Sequence, residues 1–295
     1  MNNKRFSKIK ELAKDTSFWK NSWVFPSLLF TGASGILSFF DIKTKVFNIE
    51  FNNFIFLFLV CISILYVLWH IFKSSGLDAL SLNLDGSTFE ITVGDIFEQD
   101  PDDYKVIAFN EYFDTKVDDN LISKNSLNGI YLTKKYPNSK AIAKFNKKVM
   151  NDPRLQKNIK EPHVKRELGG NTTRYELGSI FKDSDYFLVA FSKFNERNEA
   201  NLRLTEYATC LLKFWDEVNA LYNQKTVVLP LLGSGITRHT DFRATNQELL
   251  EVLIWTFKIS KVKFKEPSKV RVVIHESQKG DINFYKLKEL ENSGI

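Results

Sequence analysis

The chain has 295 residues, of which 43% are hydrophobic, and its formal net charge at pH 7 is +6. Two cysteines cannot build a disulfide framework, so the composition excludes a disulfide-stapled secreted domain and favours a reducing compartment. Much of the excess positive charge lies in an N-terminal arm, so it does not indicate a nucleic-acid-binding protein.

Two uncharged apolar stretches lie near the start of the chain, Ser22–Phe40 and Phe51–Phe72. Each has about 20 residues, and a helix of that length spans roughly 30 Å, the thickness of a bilayer's hydrocarbon core. Tryptophan and tyrosine lie near their ends, as is typical of the membrane interface. We therefore predict two transmembrane helices within residues 21–73, at about 22–40 and 51–72. The alternative is a pair of buried helices in a soluble core.

A basic arm, residues 1–20, precedes the first apolar stretch, whereas only Lys43 and Lys45 lie in the connection to the second. The positive-inside rule then predicts a multi-pass protein of the cell membrane with both termini in the cytoplasm. The arm can rest on anionic lipid, or it merely sets the topology. Its basic residues are Lys4, Arg5, Lys8, Lys10, Lys14 and Lys20.

The rest of the chain alternates between strand-like and helix-like segments. Asp85-Gly86 between two apolar runs predicts a hairpin. In chain order the pattern predicts strands at Leu80–Leu84, Thr88–Phe97 and Lys105–Phe109, helices at Ile122–Leu132 and Ala141–Met150, an irregular polar segment at Asp152–Thr173, strands at Tyr175–Ile180 and Tyr186–Phe191, a helix at Leu202–Leu221, a strand in the apolar run after Thr226, a helix at Phe242–Lys258, a strand at Val270–His275 and a helix at Ile282–Leu290.

This alternation predicts an α/β sheet covered by helices on both faces, in one domain over residues 80–295. Ligands of such sheets bind beyond the carboxyl ends of the strands. Three predicted strand ends carry suitable residues, namely Gly94-Asp95-Ile96, Asn110 and Gly233-Ser234-Gly235. Glycines let backbone N–H groups come close to an anion, although a glycine loop is also an ordinary turn.

The same three segments resemble the macro domain family. Glu90–Ile96 is similar to its opening strand, Lys105–Asn110 to a strand that ends on asparagine, and Leu229–Ile236 to its second phosphate loop. The resemblance covers about residues 80–292 and implies a mixed sheet, flanked by helices, that binds ADP-ribose and its relatives. Two segments depart from the family. Ser126–Ile130 has a single glycine where many macro domains have a run of them, and Asn110 is followed by Glu-Tyr-Phe-Asp-Thr where small residues are usual.

A macro-like domain behind two membrane spans is similar to the transmembrane–macro effectors of Thoeris anti-phage defence. The resemblance implies an effector that binds an ADP-ribose-containing signal, such as an amino-acid conjugate of ADP-ribose, made by a TIR-domain enzyme. Binding would then disrupt the membrane and cause abortive infection. Two spans cannot enclose a pore alone, so a homo-oligomer in contact with membrane lipid is expected. Neither a cofactor nor a nucleic-acid partner is expected.

The family resemblance also assigns roles at the nucleoside ends of the ligand. Asp95 would accept a hydrogen bond from the adenine amino group, with the Ile96 backbone N–H on the same ring; otherwise Asp95 caps the next segment. Asn110 offers a donor and an acceptor to ribose hydroxyls, or else caps a loop. Phe284 or Tyr285 would stack on adenine, with aromatic core packing as the alternative.

The diphosphate is expected on backbone N–H groups from two loops. Asn128 and Gly129 stand near a predicted helix N-terminus, where an anion is favoured, although an ordinary N-cap explains them equally. The Gly233-Ser234-Gly235-Ile236 turn would cradle the diphosphate. Arg238 follows, and can pair with a phosphate or an appended group, or lie free on the surface.

The sequence predicts no catalytic residue and no metal site. The 4 histidines have no metal-type spacing with the cysteines, and neither a Gly-x-Ser-x-Gly elbow nor a Walker loop occurs. The acidic pairs Asp102-Asp103 and Asp118-Asp119 lie in polar loops, where such pairs are usually solvated. We therefore favour an effector without enzymatic activity. The alternatives are a membrane-tethered hydrolase of ADP-ribose derivatives and a scaffold that binds no nucleotide.

Overall fold

The computed structural model describes residues 9–10, 12–39, 45–46, 49–167, 169–195, 197, 199–235, 238–239, 241 and 243–292. These residues form two compact units. One unit is Ala79–Ile282, and the other joins the chain up to Asp78 with the chain from Asn283 onward. The sequence predicts one domain over residues 80–295, whereas the last helix lies with the N-terminal helices.

The helices with defined bounds are α1 (Thr16–Leu37), α2 (Phe51–Ser75), α3 (Leu127–Lys135), α4 (Ser139–Met150), α5 (Pro153–Gln156), α6 (Leu204–Leu221), α7 (Asn246–Ser260) and α8 (Phe284–Asn292). The strands are β1 (Lys45–Val46), β2 (Ile49–Glu50), β3 (Ala79–Leu84), β4 (Ser87–Val93), β5 (Tyr104–Asn110), β6 (Ile159–Glu161), β7 (Arg174–Tyr175), β8 (Ile180–Asp183), β9 (Tyr186–Phe194), β10 (Ala200–Leu202), β11 (Val227–Pro230), β12 (Arg238–His239) and β13 (Val270–Ile274). Short 3-10 helices cover Ile96–Glu98 and Lys279–Asp281.

In the helical unit, α1 and α2 pack side by side with opposite chain directions. The ring centroids of Phe25 and Tyr66 lie 4.6 Å apart, and those of Phe30 and Phe56 lie 5.9 Å apart. Among the described residues, α2 is the one helix that is long and apolar enough to cross a membrane. α1 contains Lys20 and several serines and threonines, which lower its hydropathy. The prediction of two membrane spans is therefore not confirmed.

The larger unit is built on a sheet of nine described strands in the order β12-β10-β9-β5-β11-β13-β4-β3, with β8 also paired to β9. The central neighbours, from β9 across to β4, are parallel. By contrast, β3 pairs antiparallel with β4. The predicted macro-like α/β fold, a mixed sheet flanked by helices, is thus confirmed. Parallel strands bring their carboxyl ends to one edge, where ligands of such sheets bind.

The β3–β4 hairpin turns at Asp85-Gly86, as the sequence predicts. Asp85 has a φ of 52° and Gly86 a φ of 84°, the two positive values that a type I′ turn requires. Asn83 Oδ1 accepts a hydrogen bond of 2.9 Å from the Gly86 N–H and closes the turn. β4 ends at Val93, earlier than predicted, because Asp95 caps a 3-10 helix from that point.

Helices cover both faces of this sheet. On one face, Tyr131 of α3 and Phe145 of α4 lie 6.1 and 6.4 Å from the ring of Phe109 on β5. On the other face, Phe89 of β4 lies 5.2 Å from Phe257 of α7. α6 joins this second layer, since the Phe257 ring also lies 5.0 Å from Trp215. The sheet is therefore packed between two layers of aromatic side chains.

Several predicted elements differ from the structure. The segment Asp152–Thr173, predicted to be irregular, contains α5 and β6. The helix predicted from Ile122 begins instead at Leu127, because Ser126 caps it and Ile122 is buried within a loop. The strand predicted at Tyr175–Ile180 is also wrong. The chain turns there at Gly178, whose φ is 86° and where a β-carbon would lie 2.6 Å from Cys210 O. Only glycine fits this close approach to α6.

A buried carboxylate, Asp183 of β8, holds α3 and α4 to the sheet. The hydroxyls of Tyr131 and Tyr136 both donate to its Oδ2, and Lys148 Nζ lies 3.3 Å from its Oδ1. Burial opposes ionisation of Asp183, but the two phenols and Lys148 outweigh it and lower the carboxyl pKa. This contact fixes α3, whose N-terminus reaches the candidate site.

Candidate functional site

An elongated cavity of 610 Å³ lies at the carboxyl edge of the sheet, lined by residues that follow β4, β13, β11, β5 and β9. Neighbouring strands lie about 4.8 Å apart, so the four steps from β4 to β9 cover about 19 Å. The predicted site residues that line the cavity are Asp95, Ile96, Asn110, Asn128, Gly233, Ser234 and Gly235. These residues therefore lie in one place, as expected from the rule that ligands bind beyond the carboxyl ends of parallel strands.

Asp95 lies at the β4 end of the cavity and caps the 3-10 helix that follows. Its Oδ1 accepts a hydrogen bond of 2.8 Å from the Phe97 N–H. Its backbone oxygen accepts one of 2.8 Å from Gln99 Nε2, which fixes the turn. Among the described residues, Asp95 Oδ2 and the Ile96 N–H have no hydrogen-bond partner. One acceptor and one donor therefore remain for a ligand at this end.

The N-terminus of α3 meets the middle of the cavity. Ser126 Oγ accepts a hydrogen bond of 3.3 Å from the Gly129 N–H, and Asn128 Oδ1 accepts one of 3.1 Å from the same group. In the described part of the chain, the N–H groups of Leu127 and Asn128 have no partner. Both residues line the cavity, and unpaired N–H groups at a helix N-terminus are the kind of donors that suit an anion.

Gly129 does not line the cavity, which differs from its predicted role. A β-carbon at this position would lie 2.2 Å from Ser123 O. The turn before α3 therefore requires a glycine here for packing, independently of any ligand.

The glycine loop after β11 also lines the cavity. Ser234 N and Oγ both donate to Leu231 O, at 3.3 and 2.6 Å, which closes a tight turn. Gly233 has a φ of 87°, a conformation that favours glycine. Of the remaining predicted residues, Ile236 lies outside the described residues. Arg238 lies in β12, whose backbone pairs with β10.

Asn110 lies at the bottom of the cavity, but its side chain is occupied by the protein. Its Nδ2 donates a hydrogen bond of 2.9 Å to Asp114 Oδ2, and its Oδ1 accepts from the N–H groups of Tyr112 and Asp114. The residue is 3% exposed. Asn110 therefore caps the loop, which is the alternative role predicted from the sequence. A ligand would have to replace these hydrogen bonds in order to bind its amide group.

Asp114 in turn is held by Arg166. Arg166 Nη1 lies 2.8 Å from both carboxylate oxygens of Asp114, and the guanidinium lies 4.1 Å above the Tyr112 ring. The Asn171 N–H donates a third hydrogen bond to the carboxylate, at 2.7 Å. Burial raises the pKa of Asp114, and Arg166 opposes that rise. Arg166 and Asn171 thereby fix the turn that follows β5.

The acidic pairs offer no candidate for acid–base chemistry in the cavity. Hydrogen bonds from the Leu121 N–H and the Lys116 ammonium lower the pKa of Asp118 to about 2. Asp103 Oδ2 pairs with Arg271 at 3.3 Å, and of the two pairs only Asp119 lines the cavity. No group of three His, Cys, Asp or Glu side chains that could hold a metal exists among the described residues.

Several lining residues are missing from the sequence prediction. Phe97, Phe194, His275, Ser277 and Gln278 all line the cavity. His275 is the last residue of the predicted strand and directly follows β13, so the rule that ligands bind beyond strand ends could have found this group. Phe97 ends the predicted strand Thr88–Phe97, so the same rule could have found it, whereas Phe194 ends β9 three residues beyond the predicted end of that strand.

The two aromatic residues proposed for adenine stacking lie elsewhere. Phe284 and Tyr285 belong to α8 in the helical unit, where the Tyr285 ring contacts Phe18 at 5.3 Å. Both side chains therefore pack within the helical unit, in agreement with the alternative interpretation of aromatic core packing. Phe97 is the aromatic residue at the Asp95 end of the cavity, with Lys134 Nζ 4.6 Å from its ring.

Comparisons with known proteins agree on one family. The family profile described as Thoeris protein ThsA, Macro domain, matches residues 89–275. A Thoeris protein ThsA from Bacillus amyloliquefaciens (strain Y2) is 46% identical over 290 residues, which are 98% of this chain and 94% of that protein.

Solved macrodomain structures are similar at a much greater distance. A glycine-to-valine variant of the Oceanobacillus iheyensis macrodomain, solved with ADPR, is 14% identical and covers 73% of this chain and 100% of its own, with a TM-score of 0.46. The same macrodomain with MES bound is 14% identical and covers 72% and 97%, with a TM-score of 0.45.

Proposed function

This chain belongs to the Thoeris ThsA family with a macro domain, and from that membership we propose that it is a membrane effector of anti-phage defence. Its macro-like unit binds an ADP-ribose-containing signal produced by a TIR-domain enzyme. An amino-acid conjugate of ADP-ribose is the chemical class we expect. Binding leads to disruption of the membrane and abortive infection of the cell.

One observation carries the ligand proposal, namely that acceptor, donor and anion-binding groups line one cavity. Asp95 Oδ2 and the Ile96 N–H at the β4 end suit the amino group and ring nitrogen of adenine. About 10 Å further along, two strand spacings away, the N-terminus of α3 and the Gly233–Gly235 loop suit a diphosphate. The space beyond Asn110, toward Phe194, accommodates the second ribose and its substituent.

Binding without hydrolysis is the proposal because the carboxylates and the imidazole in the described cavity lining each have a partner within the protein; His275 Nδ1, for example, lies 2.8 Å from Ser277 Oγ. Asn110 is held by Asp114, and Asp119 pairs with Lys124 at 3.2 Å. A hydrolase needs a positioned acid or base near the scissile bond, and macro-like folds do host such activity. The hydrolase therefore remains the second candidate, and the binding experiment below separates the two.

For the membrane step, we propose that α1 and α2 both cross the bilayer and that several copies of the chain assemble. α2 exposes Leu65, Leu68 and Phe72 by 65%, 57% and 61%, which suits lipid rather than water. α1 exposes Leu28 and Ile36 by 67% and 63% in the same way. Two helices cannot enclose a pore, so an oligomer in contact with lipid is expected. Both termini would then be cytoplasmic.

The first test replaces Asp95 by asparagine. An amide oxygen can still cap the 3-10 helix, but the second carboxylate oxygen becomes an NH₂ donor that faces the adenine amino group. We expect ADP-ribose affinity to fall by about 10- to 100-fold, the value of one hydrogen bond to a charged group. Calorimetry of the detergent-solubilised chain with ADP-ribose and an amino-acid conjugate measures this, and chromatography of the same samples detects any product.

The matched control is Asp102→Asn, an exposed acidic residue outside the cavity. Equal affinities for the wild type and Asp95→Asn would contradict the adenine subsite. Release of product over many turnovers would favour the hydrolase.

The second test uses the native Cys61, which is exposed on α2, whereas Cys210 is buried. In a membrane-spanning α2, Cys61 lies in hydrocarbon, where neither a charged maleimide nor a thiolate exists. We therefore expect no labelling in opened membranes and full labelling after denaturation in sodium dodecyl sulfate. The control is Gly76→Cys with both native cysteines replaced by alanine, since position 76 is exposed just beyond α2. Labelling of Cys61 as fast as this control would exclude the span.

A further inference from the structure

Helix α1 carries a row of hydroxyl groups along one side. Ser27, Thr31 and Ser34 follow one another at helical spacing, and Ser38 continues the row directly after the helix ends. At about 100° per residue, these four positions lie within about 60° of one another around the helix axis. All four residues are exposed in the structure. Together they form the hydroxyl face of α1.

The contact between α1 and α2 lies on the opposite side of α1. Ser22 of α1 is fully buried, and its Oγ lies 2.9 Å from His70 Nδ1 of α2. Thr31 follows Ser22 by nine positions, and Ser34 follows Phe25, whose ring also packs on α2, by nine positions. Nine residues are two and a half helical turns, which leads to the other side of the helix. The hydroxyl face therefore points away from α2.

Helix α2 distributes its polar groups in the opposite way. Between Phe54 and Phe72 its one serine or threonine is Ser63, which is 4% exposed and donates a hydrogen bond of 2.7 Å to Leu59 O. Apart from Cys61, the residues that α2 exposes in this range are large and hydrophobic. α2 thus turns its hydroxyl inward and apolar groups outward, whereas α1 turns a row of hydroxyls outward.

The hydroxyl groups satisfy their donors within α1 and leave their acceptors exposed. Thr31 Oγ1 donates to Ser27 O at 2.8 Å, Ser34 Oγ donates to Thr31 O at 3.0 Å, and Ser38 Oγ donates to Gly35 O at 2.7 Å. The lone pairs of these oxygens remain available on the outside of the helix. Hydrocarbon offers them no donor, which costs free energy, whereas water does. The hydroxyl face therefore suits water and not lipid.

We propose that the hydroxyl face lines a water-filled pore for ions, which several copies of this chain enclose with α1 on the inside and α2 on the outside. This inference rests on the proposed membrane span and oligomer, and it specifies a pore in place of a general disruption of the bilayer. α1 has the three sides that such a ring requires. One side contacts its own α2, the hydroxyl face lines the pore, and the exposed Leu28 and Ile36 between them contact the neighbouring copy.

Cysteine labelling tests which side of α1 faces water. Single cysteines replace Thr31 and Ser34 on the hydroxyl face, and Leu28 and Ile36 as controls, in a full-length chain whose native cysteines are alanine. The protein is reconstituted in vesicles of phosphatidylcholine and phosphatidylglycerol with ADP-ribose. We expect a charged methanethiosulfonate to modify the first two at least about 10-fold faster, because thiolates form in water but not in hydrocarbon or dry protein contacts. Denaturation in sodium dodecyl sulfate verifies that all four thiols can react.

Ion flux from the same vesicles tests the chemistry of the pore wall. The double variant Thr31→Val, Ser34→Ala removes two hydroxyls with little change in volume and leaves an apolar ring, which repels water. We expect the flux of chloride and potassium to fall by about 10-fold. Ser63→Ala is the matched control, since it removes a serine hydroxyl that faces inward from α2, and its flux should equal that of the wild type.

The outcomes separate this inference from the proposed function. Slow modification at all four positions overturns the pore, because the hydroxyl face then lies in a dry helix contact or in lipid. Equal flux for the double variant and Ser63→Ala overturns it as well. Fast modification at all four positions places α1 outside the bilayer, which contradicts the proposed span and the pore with it. Absence of flux from wild-type vesicles counts against the proposed membrane step, and the labelling rates still decide which side of α1 faces water.

Discussion

Replacing Gly235 by glutamate is expected to weaken ADP-ribose binding by at least about 100-fold, since like charges brought together at a binding site cost several kcal/mol. Gly235 lines the cavity, and a β-carbon there meets no atom within 4 Å. The substitution therefore adds a carboxylate beside the proposed position of the diphosphate, with no clash of its β-carbon. Calorimetry of the full chain in detergent gives the affinity, and the thermal unfolding midpoint verifies that the variant is folded.

The control for this variant is Gly235→Ala, which adds a methyl group but no charge and is expected to change the affinity by less than about threefold. Gly233→Glu should also abolish binding, but the φ of 87° at Gly233 adds backbone strain, so that variant is less informative. If Gly235→Glu bound ADP-ribose as tightly as Gly235→Ala, the diphosphate would not lie on this loop.

Replacing Asp114 by asparagine is expected to lower the free energy of unfolding by about 3–5 kcal/mol, the usual effect of removing one partner of a buried ion pair. The Asp114 side chain is 0% exposed and that of Arg166 is 7% exposed, so the guanidinium would be left buried without its counter-charge. Urea unfolding of the full chain, followed by tryptophan fluorescence, to which the buried Trp215 contributes, measures the loss.

Lys116→Gln provides the comparison for this second variant. Lys116 pairs with Asp118 at 2.8 Å, but its side chain is 71% exposed, and exposed pairs contribute at most about 1 kcal/mol. A loss below that value for Asp114→Asn would mean that water replaces the carboxylate at Arg166. The turn after β5, and Asn110 with it, would then be held by the other contacts.

The strands and the edge that carries the cavity could be predicted from local patterns. Buried parallel strands read as short apolar runs, and the turn residues Asp85-Gly86 and Gly233–Gly235 mark where two of them begin or end. Because carboxyl ends of parallel strands share an edge, the rule that ligands bind there was sufficient to bring Asp95, Asn110 and Gly235 to one cavity.

What the sequence could not predict depends on contacts between distant residues. The orientation of Asn110 is set by Asp114, which is fixed by Arg166 more than 50 positions away. The apolar residues from Ile122 onward suggest a helix that begins there, but Ile122 is buried in a loop and the helix begins after its cap at Ser126. α8 belongs to the helical unit and not to the macro-like unit, and Tyr285 contacts α1 there. No local sequence pattern predicts such a contact.

The buried phenol of Tyr207 restrains the glycine loop of the cavity. Its hydroxyl lies 3.1 Å from Leu232 O in the glycine loop and 3.3 Å from Leu249 O in α7, so a single proton links the loop to a helix of the scaffold. A tethered loop has little conformational freedom left to lose when a ligand arrives. If the proposed nucleotide binds in this cavity, the rate of its capture should then be set by diffusion and not by ordering of the loop.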